Sequence, residues 1–303
     1  MVAAGGVFCP LPPGQTAQQL WQTLQTANAQ WVFASQKIFQ TASEAAVSIE
    51  LDRRVILFDP PGLETDIEAC DDSKPQHRLS WMLDTFDENM WSNPHLGQDP
   101  SKSTAFRFFT SGTTGLPKAA NLSHTTSLAR MGPPIRDDER GMRILHILGQ
   151  HHSTALLNWN RAASGLQKLY ISPRRDVTSI VENIRRHGIT DVFLHPRMLD
   201  GIAAILEADG RQAEKLKSLI CVTLVGDLVQ NETLERCRSV LPPNIMVKPR
   251  YGLTEAGAIN QMPDHTAWSA GEVGFPDGVS VKFVTPTFRP DMNDDSLTSN
   301  EPE

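Results

Sequence analysis

An apolar run, Phe106-Arg107-Phe108-Phe109, passes directly into Thr110-Ser111-Gly112-Thr113-Thr114-Gly115-Leu116-Pro117-Lys118. Those residue types can grip a polyphosphate. Glycines let backbone N–H groups approach oxyanions with no Cβ in the way, and the four hydroxyls of Thr110, Ser111, Thr113 and Thr114 add donors. Lys118 supplies a point charge. The segment is not a Walker A loop, which needs Gly-Lys-Ser/Thr in succession, because Leu116 and Pro117 separate Gly115 from Lys118. Composition alone fits a solvated Ser/Thr/Gly turn equally well, so the order of the residues must carry the assignment. Farther along, His146, His151 and His152 cluster. No carboxylate or cysteine nearby completes a metal set, and single histidines commonly serve structure, so the cluster is set aside as a metal centre.

These residues need a scaffold, and the flanking sequence outlines one. Thr16 is an N-cap candidate, followed by Leu20, Trp21, Leu24 and Ala27 at helical spacing and by the apolar run Trp31-Val32-Phe33. Ile38, Phe39, Ala42, Ala46 and Ile49 suit a helix face, and Arg54 to Phe58 suit a buried strand stopped at Asp59-Pro60. Repeated βα units imply a parallel sheet. Residues 61–103 are polar and Pro-interrupted apart from Trp81, Met82, Leu83 and Phe86, which predicts a surface excursion. Further strands are predicted over 105–109, 143–148, 167–171, 190–194, 219–225 and 245–250. The clearest helix opens at Asp176, carries Val177, Ile180, Val181 and Ile184 on one face, and ends on Arg185-Arg186-His187 before Gly188. From Gly271 the pattern shortens to Gly271-Glu272-Val273-Gly274 and Val279 to Val284, a predicted hairpin. Residues 1–285 are thus expected to form one large domain, and the acidic, Ser/Asn-rich segment 286–303 a disordered tail.

Composition narrows the partners. A chain of 303 residues with 40% hydrophobic and 21% charged residues should fold around a sizeable core. Its net charge of -7 argues against nucleic acid, whose phosphates select a Lys/Arg excess. No apolar run is long enough for a membrane span, and Met1-Val2-Ala3-Ala4-Gly5-Gly6 lacks the basic flank of a signal peptide. Cys9, Cys70, Cys221 and Cys237 are scattered without a C-x-x-C and are expected to be free thiols. The terminal Asn300-Glu301-Pro302-Glu303 is no peroxisomal address, which leaves a cytoplasmic location as the default.

Thr110 to Lys118, followed by Leu122-Ser123-His124, resembles the phosphate-loop signature of the adenylate-forming superfamily: acyl- and aryl-CoA ligases, luciferases and peptide-synthetase adenylation domains. A second match stands downstream, where Tyr251-Gly252-Leu253-Thr254-Glu255 resembles the family's adenine- and magnesium-contacting segment. Leu224-Val225-Gly226 is similar to the strand-to-glycine turn that packs on adenine, and the Gly271 block resembles the segment that follows. The overall pattern is closest to the coumarate-CoA-ligase-like group.

The resemblance implies an α/β adenylation-domain fold with βα-layered sheets, and ATP, Mg2+ and a small-molecule carboxylic acid as ligands, with coenzyme A as a candidate co-substrate. It implies that Thr110, Ser111, Gly112, Thr113, Thr114, Gly115 and Lys118 hold the β/γ-phosphates. Gly226, Tyr251 and Gly252 are implied to border the nucleotide, Thr254 to contact the α-phosphate, and Glu255 to ligate the metal. The catalytic set is then Lys118, Thr254 and Glu255. In the family a residue near His151 or His152 borders the acyl pocket, and the two stay equal candidates.

Two departures qualify this picture. Ala119-Ala120 stand where members usually have glycine after the signature lysine. Complete members also open with additional sheet and helix material, and continue to a ribose-gripping aspartate and a lid carrying a lysine. Neither is legible here, and Asp291, Asp294 and Asp295 lack the aspartate's context. The expectation is an incomplete large domain without its lid, impaired in turnover because a charge on developing phosphoryl charge is worth several kcal/mol. Its exposed sheet edges are expected to favour a homo-oligomer or a complementing chain. The competing expectation is a catalytically inactive nucleotide- or acyl-binding pseudoenzyme.

Overall fold

A computed structural model describes residues 2, 5–51, 54–58, 78–79, 92, 94, 96–110, 118–130, 141–163, 167–172, 174–263, 267–276 and 278–282. Near the N-terminus, helix α1 (Ala17–Thr26) begins at Thr16, whose hydroxyl accepts from the Gln19 N–H while the Gln19 side chain accepts from the Thr16 N–H. This reciprocal cap satisfies two otherwise orphaned donors. Strand β1 (Val32–Ala34) and strand β2 (Val55–Leu57) pair in parallel around helix α2 (Gln36–Val47). Leu20 and Leu24 of α1, Ala42, Ala45 and Ala46 of α2, and Val32 and Val55 close a small core of their own.

Strand β3 (Thr104–Thr110) and strand β4 (Lys118–Ser123) form an antiparallel pair. Helix α3 (His124–Ala129) follows, capped by the Ser123 hydroxyl, which accepts from the Thr126 N–H. The rest is a βα alternation: β5 (Arg143–His146), α4 (Ser153–Ala163), β6 (Lys168–Ile171), α5 (Val177–His187), β7 (Asp191–Leu194), α6 (Pro196–Ala208), a 3-10 helix (Gly210–Leu216), β8 (Cys221–Leu224), α7 (Asn231–Val240) and β9 (Met246–Leu253). Strands β10 (Gly257–Gln261) and β11 (Phe275–Pro276) add antiparallel to this sheet, whose order is β11-β10-β9-β8-β7-β5-β6. The members from β6 to β9 run parallel, as expected of a sheet covered by helices.

The main core lies between this sheet and helices α5, α6 and α7. Ile180 and Ile184 of α5, Ile202 and Ala203 of α6, and Leu145, Val192, Leu194, Val222 and Leu224 from the strands are all buried. Asp176 caps α5 by accepting from the Ser179 N–H at 2.8 Å, and Gly188 ends it at φ 58, the left-handed geometry that glycine adopts without a Cβ penalty.

Some expectations change. The predicted hairpin of 271–284 does not form among the described residues: Phe275–Pro276 pairs with β10, while 278–282 carry no strand. The hairpin near this end is instead β9–β10, built around Leu253↔Gly257. Strand β4 was not foreseen. Most of the excursion over 61–103, with its Trp81 to Phe86 patch, and the whole segment 286–303 lie outside the described residues. Cys9 and Cys237 are free thiols; burial pushes Cys9 to about 11 and Cys237 to about 12, so neither favours thiolate at neutral pH. Cys70 lies outside the described residues.

Candidate active site

The phosphate-loop sequence sits on a hairpin. Thr110, the last residue of β3, is the register partner of Lys118, the first of β4. Phe108 and Leu122 in the two strands are buried against Leu156 of α4, which anchors the hairpin to the following βα unit. An apolar strand pair packed on a helix therefore presents both ends of the loop at one place. Lys118 is exposed and Thr110 is half-buried. Ser111, Gly112, Thr113, Thr114 and Gly115 lie outside the described residues.

Thr254 and Glu255 occupy the turn between β9 and β10. The turn is tight: a Cβ on Gly252 would stand 2.4 Å from the Gly257 carbonyl oxygen, and Gly257 has φ +81. Glu255 is exposed, Thr254 is half-buried, and Tyr251 is 46% exposed. Arg130, just past α3, reaches across to this turn. Its Nη1 donates to the Thr254 carbonyl at 2.9 Å and its Nη2 to the Glu255 carbonyl at 2.7 Å. The link from Lys118 to Glu255 thus runs through β4, α3 and one guanidinium.

The other candidate residues stand at the exits of parallel strands. Gly226 follows β8, and its position for a Cβ lies 3.5 Å from the His195 ring. His195 caps α6, and its Nε2 lies 3.6 Å from Asp227 Oδ2. After β5, His151 and His152 lie in the turn before α4 rather than on the helix itself, their rings 4.4 Å apart. Burial, then the charges of His152 and Arg175, pushes His151 down to about 4. Burial and Arg175 also lower His152. Both imidazoles are therefore neutral at physiological pH, offering flat, polar surfaces rather than charge. His146 is buried, and Asn158 Nδ2 lies 3.0 Å from its Nδ1, so it serves the core of this corner.

A metal group of three or more His, Cys, Asp or Glu is absent among the described residues. The donor chemistry still suits a hard cation shared with phosphate oxygens, since one exposed carboxylate beside a hydroxyl is what Mg2+ takes when a nucleotide supplies further ligands. Sequence reasoning missed Arg130, which lies more than a hundred positions from its partners, and Arg175, an exposed cation beside Arg174 whose charge acts on His151 and His152. No local pattern marks either.

Comparison with known proteins decides the family: residues 1–292 match the model of the AMP-binding enzymes. The chain belongs to the AMP-binding enzyme family. Among curated relatives of this AMP-binding chain, the nicotinic acid–CoA ligase of Aspergillus fumigatus is 26% identical over 313 aligned positions, covering 96% of this chain and 53% of the relative. The 4-chlorobenzoate–CoA ligase of a Pseudomonas species is 28% identical, covering 51% of this chain and 29% of that protein. ATP-bound MatB from Rhodopseudomonas palustris superposes with a TM-score of 0.71 at 20% identity, covering 92% of this chain and 51% of that one, a likeness of fold. The AMP-binding chain spans about half the length of the curated relative it matches over most of its residues. No helix among its described residues is long and apolar enough to cross a membrane.

Proposed function

We propose that the chain carries the nucleotide-gripping part of an AMP-forming acid–thiol ligase, which activates a carboxylic acid as its acyl- or aryl-adenylate and passes the acyl group to coenzyme A. The observation that carries this reading is the union of two motifs on one scaffold. The Thr110–Lys118 hairpin mouth and the Thr254–Glu255 turn lie on different sheets; the helix that follows β4 ends at Arg130, whose side chain donates to both carbonyls of the turn. The family match over residues 1–292 supports it.

In this mechanism the substrate carboxylate attacks the α-phosphorus of ATP. The new bond is acyl oxygen to phosphorus, the broken bond joins the α-phosphorus to the bridging oxygen, and pyrophosphate leaves with the bond's electron pair. The protein's part is positioning and charge. Thr110, Ser111, Gly112, Thr113, Thr114, Gly115 and Lys118 hold the β/γ-phosphates, where negative charge accumulates. The Thr254 hydroxyl orients the α-phosphate, and Gly226, Tyr251 and Gly252 border the adenine. Glu255 would hold Mg2+, which would neutralise phosphate charge. His151 and His152 line the acid pocket; neutral rings lying 4.4 Å apart at a 37° tilt offer ring faces to an aryl or heteroaryl acid, in keeping with relatives named for nicotinic and 4-chlorobenzoic acids.

A calorimetric titration of the purified chain with ATP, with and without Mg2+, tests this reading. Micromolar binding that strengthens with Mg2+ and weakens at least tenfold in Glu255→Gln is the expected result. Equal affinity with and without the cation, or no effect of the substitution, contradicts the role of Glu255.

A further inference from the structure

Arg130 stands out because its position is fixed by several independent contacts with a segment 124 and 125 residues away. Both terminal nitrogens donate to consecutive carbonyls of the Thr254–Glu255 turn. The side chain also lies flat against Gly257: a Cβ there would stand 3.0 Å from Nε and 3.3 Å from Cδ. Nε itself is buried with no hydrogen-bond partner among the described residues. Burial pulls the guanidinium below its usual pKa, and the negative charge of Glu255 opposes that pull. A half-buried cation whose two terminal nitrogens are both spent on backbone carbonyls of one turn is costly to maintain as mere decoration.

We infer that Arg130 is a positioning residue for the Thr254–Glu255 turn: it fixes the backbone so that the Thr254 hydroxyl and the Glu255 carboxylate are held ready for a metal-bound triphosphate, in register with the hairpin that bears Lys118. The physical logic is direct. A turn built on Gly252 and Gly257 has little intrinsic stiffness, and an exposed carboxylate on a loose turn would bind a cation only after ordering entropy had been spent. The guanidinium is rigid and forked, so two parallel N–H···O contacts restrain both peptide units at once. Arg130 also follows α3 directly, and α3 follows β4, so a short ordered connection joins the restrained turn to the strand that begins with Lys118. The inference rests on the proposed roles of Glu255 and Lys118, but the restraint of the turn is a property of the protein without ligand.

The experiment separates those two layers. Amide hydrogen exchange on the ligand-free chain compares wild type, Arg130→Gln and Arg130→Lys, with far-UV circular dichroism and melting temperature recorded for each. In Arg130→Gln, peptides spanning 251–258 should exchange about tenfold faster while peptides from α5 and β7 keep their protection; Arg130→Lys should give an intermediate rate because one donor contact can re-form. Unchanged exchange over 251–258, or an equal loss of protection across the whole sheet, overturns the restraint. The same variants are then titrated with ATP with and without Mg2+. The metal-dependent gain in affinity should shrink about tenfold in Arg130→Gln, with a smaller fall in metal-free ATP affinity as Thr254 loosens. An equal fall in both overturns the positioning role. Wild-type protein that binds no nucleotide while the turn loosens as expected in Arg130→Gln would instead reject the proposed function and with it the link to catalysis.

Discussion

His146 shows how the surroundings of one side chain set a pH limit on the whole protein. It ends β5 inside the core, 1% exposed, and burial drives its pKa from 6.5 to about 4, with His152 and Arg175 lowering it further and backbone contacts at Leu148 and Gly149 opposing the shift. A folded-state pKa below the unfolded one means that the unfolded chain takes up a proton first as pH falls. Stability is therefore intact above about pH 6.5 and is lost between there and about pH 4. Each pH unit in that window is worth about 1.4 kcal/mol for a fully shifted group. Urea unfolding at pH 7 and pH 5 should show His146→Asn, which cannot titrate there, losing about 2 kcal/mol less than wild type, the rest of the loss staying with His151 and His152, which burial lowers in the same sense. Equal pH dependence in the two proteins would show that other groups carry the acid sensitivity. At this same scale Lys118 and Glu255 are proposed from sequence because order, not composition, singles them out. Arg130 is not, because its partners are brought near only by the fold.

At the scale of elements, the local signals that work are those with a stereochemical cause. The α5 boundaries were readable at both ends: Asp176 satisfies the Ser179 amide, and Gly188 takes the left-handed geometry. A Cβ at Gly188 would be strained at φ 58 and would meet Arg143 Nη1 at 3.2 Å, where that nitrogen donates to the His187 carbonyl. Gly188→Ala should accordingly lower stability by about 1–2 kcal/mol, measured as a shift in the denaturant midpoint at constant slope. No shift would mean that the helix end relaxes freely. Strand β4 escaped notice because Lys-Ala-Ala-Asn-Leu-Ser has poor intrinsic strand propensity; pairing with Phe106 and Phe108 imposes its conformation. The error over 271–284 has the opposite origin. Alternating valines suggested a strand in Val279 to Val284, but Val279 and Val281 are exposed, and the sheet edge is completed instead by Phe275–Pro276. A short alternation without a partner is no strand.

At the scale of the whole molecule, two larger cores divide the labour among the described residues, beside the small cluster of Phe108, Leu122 and Leu156. One is packed by α1, α2, β1 and β2; the other surrounds the seven-stranded sheet. The hairpin bearing Lys118 and the turn bearing Glu255 belong to separate sheets. The βα alternation was legible from period and punctuation, since each buried strand is a short apolar run between helices. The order in which those strands assemble was not, because β6 joins the far edge beside β5 while β9 and β10 extend the other side, and such crossovers leave no trace in periodicity. The most direct measurement is acid-dependent exchange of labelled pyrophosphate into ATP, run with a panel of aryl and fatty acids on wild type, Lys118→Ala and Glu255→Gln. Exchange that requires an acid and falls by at least about a hundredfold in each variant is the predicted result. Acid-independent exchange, or acid-dependent exchange that survives both substitutions, would contradict it.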